Sequence, residues 1–125
     1  MSKFILILVA ILSTHAYAGV RTYVCDYTNF ADQDGIDTPK SPFLLTFVFD
    51  TTTNEAMMIG NAGMSPMIVV KDQEQITFVE ITGAKNVMTT TIDSKQNSVH
   101  SRNTVMFGDL IPSQYYGSCT IEGSY

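Results

Sequence analysis

The chain has 125 residues, of which 45% are hydrophobic and 15% charged, and that balance excludes a disordered chain and a coiled coil. Its 7 basic against 12 acidic residues give a net charge of −5. An acidic chain without a basic run lacks the patch that nucleic acid or an anionic membrane needs.

The first 18 residues read as an export signal. Lys3 supplies a positive charge, Phe4 to Leu12 is an unbroken apolar run, and Ala16-Tyr17-Ala18 is a small-x-small cleavage site. The run is about half of the roughly 20 residues a spanning helix needs. Cleavage after Ala18 is expected, leaving 19–125 as a single β-domain with no transmembrane span. The mature chain loses Lys3 and carries 6 basic against 12 acidic residues. The residue directly after the cleavage point is Gly19 and not a cysteine, so lipoprotein processing is not indicated. The expected location is periplasmic or secreted.

From Gly19 onward the apolar signal has period two. Val20–Tyr27 alternates, with Tyr23, Cys25 and Tyr27 on one face. Asn29 to Pro42 reads as a loop. Phe43–Asp50 places Phe43, Leu45, Phe47 and Phe49 on one face and Leu44, Thr46 and Val48 on the other, as a central strand would. Ala56–Ile59, Met67–Val70, Gln75–Thr82, Val87–Asp93, Ser98–Phe107 and Gln114–Glu122 follow as strands, and Pro112 is expected to start the last of them, where its missing N–H does least harm. Mostly short connections between them indicate an up-and-down antiparallel meander. No segment joins helix caps to a helical apolar stripe.

Cys25 lies on the first strand and Cys119 on the last. Two cysteines in a small exported domain most simply form one disulfide. Joining first and last strands is how a meander closes into a barrel. The expected fold is therefore all-β, a small antiparallel barrel of about eight strands, with a two-sheet sandwich as the alternative. Tyr115, Gly117, Cys119 and Ile121 share the expected inner face.

Three constellations could carry chemistry. Asp32, Asp34 and Asp37 place three carboxylates around Gly35, a candidate calcium loop that lacks the EF-hand spacing. The bland reading is a turn rich in turn-forming residues. The second is the Val87–Phe107 hairpin, polar on both faces where one should be apolar. His100 and Arg102 point one way, and Thr89 and Thr91 on the preceding strand complete the candidate ligand-binding set. Arg102 would anchor an anionic group with its planar fork. His100 would add charge below pH about 6.5, so binding would tighten in mild acid. The third is catalytic. A serine triad fails because His100 and Ser101 face opposite sides of a strand, and Glu80 is a lone candidate carboxylate. No catalytic residue and no cofactor is assigned.

The segment His100-Ser101-Arg102 through Pro112-Ser113-Gln114-Tyr115-Tyr116-Gly117-Ser118-Cys119 resembles the tail of short exported bacterial proteins of unassigned function. That resemblance implies a shared fold and no activity. Tyr23-Val24-Cys25 with Cys119 is similar in layout to bacterial inhibitors of C-type lysozyme, small exported β-barrels with a Tyr-x-Cys on the first strand and a cysteine on the last. Their inhibitory loop reads Ser-Gly-x-x-Tyr. The nearest segment here is Thr82-Gly83-Ala84-Lys85-Asn86, with Thr82 for Ser and Asn86 for Tyr. The resemblance implies the architecture.

The expected function is that of a non-enzymatic binding or envelope-associated domain whose partner is a small molecule or an envelope or secreted protein. Alternatives are an inhibitor of a cell-wall hydrolase and a small hydrolase.

Overall fold

The computed structural model describes residues 19–60 and 63–123. The export signal and its cleavage site at Ala18 lie outside the described residues. Nine strands follow in order: β1 Val20–Asp32, β2 Gly35–Asp37, β3 Phe43–Asp50, β4 Ala56–Gly60, β5 Gly63–Lys71, β6 Gln75–Ile81, β7 Val87–Asp93, β8 Asn97–Met106 and β9 Asp109–Glu122. All neighbours are antiparallel, and β1 pairs with β9, so eight strands close into a barrel with β2 as an extra edge strand on β1. The period-two pattern is the cause. Alternate residues of each strand meet inside, and closure leaves no long edge unpaired.

The core is the inward row of β1 and β3 against β6, β7 and β9. Tyr23, Cys25, Tyr27, Leu45, Phe47, Phe49, Phe78, Ile92 and Cys119 are all buried. Phe47 stacks on Phe78 with ring centroids 4.6 Å apart. Cys25 and Cys119 face each other in register across the closing seam and are disulfide-bonded.

Three strand boundaries differ from the sequence reading by more than one residue. Asn29–Pro42 is not one loop. β1 continues to Asp32, and Gly35–Asp37 folds back on it through a turn in which Gly35 has φ +123°. β5 begins at Gly63 rather than Met67, because its first residues pair with β4. β9 begins at Asp109, with Pro112 inside it opposite Asn103. β1 ends at Asp32 opposite Ser113, so at Pro112 β9 has lost its β1 neighbour, an edge position that tolerates a missing N–H.

The turns are built largely by aspartates at strand ends. Asp50 accepts from the Thr52 and Thr53 amides, Asp72 from Glu74 and Gln75, and Asp93 from Lys95 and Asn97. These bonds hold the Asp50 and Asp93 carboxyls below their ordinary pKa. Much of the chain's acidity is thus turn chemistry.

Candidate functional site

The β7–β8 pairing decides which polar residues enter the barrel. Thr90 pairs with His100, and Met88 with Arg102. Thr90, Ser98 and His100 are buried, and Arg102 is half-buried toward the barrel end where β8 finishes. The Thr90 hydroxyl lies 2.7 Å from His100 Nδ1, and Arg102 Nε donates to His100 Nε2 at 3.0 Å. A guanidinium N–H can only donate, so Nε2 is the bare nitrogen, and Nδ1 carries the proton and donates to Thr90. Ser98 is bonded to the Tyr27 hydroxyl at 2.9 Å.

Thr89 and Thr91, expected beside His100, lie on the opposite face. Thr91 shares a hydrogen bond with Thr77 at 2.8 Å on the outer wall, and Thr89 is paired with Ser101. The inward threonine is Thr90, the middle of the run.

Aromatic rings complete the site. The Arg102 guanidinium carbon sits 4.9 Å from the Phe43 ring centroid and 5.2 Å from that of Tyr115. His100 packs against Tyr27, Phe43 and Tyr115. Phe43 and Tyr115 also line, with Phe30 and the Thr38–Pro42 segment, a cavity of about 300 Å³. Sequence reasoning missed Phe43 and Tyr115 as site residues, although the inward alternation of both was legible.

The electrostatics follow from burial. Desolvation, with the Arg102 charge beside it, pushes the His100 imidazole down from 6.5 to about 3. The expected gain of charge below pH about 6.5 is therefore corrected: His100 stays neutral through mild acid. Burial also raises the Tyr27 phenol to about 12, against the opposing hydrogen bond from Ser98. Both His100 nitrogens are engaged inside the protein, so neither is free to take a proton from a substrate. Arg102 differs. Among the described residues only its Nε has a hydrogen-bond partner and no carboxylate lies within ion-pair distance, and its terminal nitrogens are not sealed from solvent.

The acidic turn behaves otherwise. Asp32 accepts from the Asp34 amide and Asp37 from that of Thr38. Among the described residues no three His, Cys, Asp or Glu side chains are placed to hold a metal ion. Glu80 lies on the inner face, paired with Met88. No helix among the described residues is long and apolar enough to cross a membrane.

Comparison with family models, curated proteins and solved structures finds no match to this chain.

Proposed function

We propose that the protein is a non-enzymatic, exported binding barrel that holds a small ligand through an anionic group, with Arg102 as the anchor. The observation that carries this reading is the fixed guanidinium. Two rings flank it, His100 fixes its Nε, and its terminal N–H groups are left over. Such an arginine has already given up much of the side-chain freedom that binding would otherwise cost, and its fork matches a carboxylate with two charge-assisted bonds. The neighbouring cavity lined by Phe30, Phe43 and Tyr115 suits an apolar ligand body. The disulfide supports an oxidising compartment and hence export.

The test is a titration with acetate and with benzoate, followed by the ¹⁵N–H resonances of Arg102. Benzoate should perturb them at lower concentration than acetate, and Arg102→Met should weaken binding at least about tenfold, the loss of one charge-assisted pair. Unmoved Arg102 resonances at high benzoate concentration would refute the reading.

A second reading, an inhibitor of a cell-wall hydrolase, is favoured by one feature: Gly83, Ala84 and Lys85 are exposed on the β6–β7 turn. Asn86, which stands where the inhibitors carry tyrosine, instead accepts from the Val105 amide at 2.9 Å and ties this turn to the next hairpin. A turbidity assay of C-type lysozyme on cell walls decides it, and full lysis at excess protein rejects inhibition.

A further inference from the structure

The inner row of the barrel that carries Arg102 also carries a carboxylate. Glu80 on β6 is paired with Met88 on β7, and Met88 with Arg102 on β8. Residues paired directly across strands share one face of the sheet. That face is the inner one, because the row one step deeper, Phe78, Thr90 and His100, is buried. Two interstrand steps, about 10 Å of barrel wall, therefore separate an anion and a cation that face the same interior.

The two charges do not satisfy each other. Among the described residues they form no ion pair, and Glu80 has no hydrogen-bond partner. Arg102 is tied elsewhere: its Nε donates to His100 Nε2, and its guanidinium lies against Phe43 of β3 and Tyr115 of β9. Glu80 is half-buried, yet its carboxylate oxygens are not sealed from solvent. A charge partly removed from water and left unpaired costs stability, and such a local cost tends to mark a functional position. Asp32 stands equally far from Arg102 on the other side, through Ser113 of β9. Its Oδ1 accepts from the Asp34 amide and closes the β1–β2 turn. Glu80 has no such structural partner.

This arrangement narrows the ligand. A simple carboxylate on Arg102 brings its negative charge toward Glu80 as well, and like charges in a half-buried site repel. An ammonium beside the carboxylate turns that repulsion into a second charge-assisted bond. We infer that the ligand is a zwitterion, an amino acid with an apolar side chain, its carboxylate on Arg102 and its ammonium on Glu80. This rests on the anion-binding reading of Arg102 and adds Glu80 as the residue that sets the ligand class. Strand order puts Tyr115 of β9 on the opposite side of Arg102 from Glu80 of β6. The apolar cavity that Tyr115 lines is thus left to the ligand's side chain.

The test compares phenylalanine with hydrocinnamate, which differ only by the ammonium group, each followed by the Arg102 N–H resonances. Phenylalanine should bind about tenfold more tightly, the worth of one charge-assisted hydrogen bond. Glu80→Gln keeps the side-chain shape and removes the charge. It should hold hydrocinnamate at least as tightly as the wild type, which shows that the site is intact, and should lose the preference for phenylalanine. Asp32→Asn should keep that preference. The inference is overturned if both compounds move Arg102 and phenylalanine binds no more tightly, a result that leaves the anion-binding reading standing. It is overturned as well if Glu80→Gln retains the preference or Asp32→Asn abolishes it. If neither compound moves the Arg102 resonances, the anion-binding reading itself fails and this inference falls with it.

Discussion

His100 is a histidine used as a neutral hydrogen-bond relay. Its Nε2 receives Arg102 and its Nδ1–H serves Thr90, and a second proton would set an imidazolium against a guanidinium inside the barrel. The pH dependence follows with a definite sign. The unfolded chain takes up a proton near pH 6.5, while the folded state resists until about 3. The stabilisation is complete above 6.5 and is lost as pH falls toward 3, at up to about 1.4 kcal/mol per pH unit. Asp50 and Asp93, held below their ordinary value of 3.8, lose their contributions lower on the scale, so the window from 6.5 to 4.5 isolates His100. Urea midpoints across that window should fall for the wild type and stay flat for His100→Gln, and a flat wild-type profile would contradict the relay. Tyr27 acts at the other extreme: its raised value means stability declines between pH 10 and about 12. Strand alternation alone placed His100 and Arg102 on one face. It could not choose among Thr89, Thr90 and Thr91, because facing depends on the pairing register, and the Asp93–Asn97 turn sets that by aligning Ile92 with Ser98.

Among the elements, the meeting of β1 and β9 is the most constrained. The register between them shifts at Tyr27 and Asn29, a bulge that lets β1 bend around the barrel and carry on to Asp32. Gly117 sits opposite that bend. A Cβ there would overlap the Asp26 carbonyl and the Tyr27 backbone, atoms that cannot rotate away. Gly117→Ala should therefore destabilise the protein by about 3 kcal/mol or more, at or above the upper range of core overpacking, because the clash is with backbone. Ser118→Ala, one residue along on an exposed position, should cost less than about 0.5 kcal/mol. Chemical denaturation of the two variants side by side checks this, and equal midpoints would mean that the seam can relax. The strand cores were legible from their alternating Phe, Tyr and Val residues. The β1–β2 hairpin and the true start of β9 were not. Asp-Gly and Pro read as loop residues in isolation, and only the bulge and the strand ends of neighbours make those positions extended.

At the scale of the molecule, one seam turns a meander into a barrel. A sandwich with paired termini would suit the sequence equally; what makes the molecule a barrel is one unbroken ladder from β1 round to β9, in which β1 pairs with β9 from Thr22–Glu122 through Asp32–Ser113. Two cysteines at opposite ends of a period-two chain anticipated the terminal pairing, since a bond between them forces the terminal strands together. The disulfide spans 94 residues and closes nearly the whole domain into one loop. In the chain-entropy account, a cross-link of that length stabilises the fold by about 4–5 kcal/mol, through the freedom it removes from the unfolded chain. Cys25→Ala with Cys119→Ala leaves the ladder on either side in place, so the double variant should keep the β-type circular dichroism of the wild type. Its unfolding free energy should fall by about that amount, plus a cavity term for two small buried side chains. Hydrogen exchange separates the two parts. A lost cross-link lets the longest-range contact open first, so amides of the β1–β9 ladder should lose protection ahead of those of β6–β7, whereas cavity loss alone would leave the order of exchange unchanged. If the double variant matches the wild type in denaturant midpoint, the closing ladder holds the barrel without its cross-link.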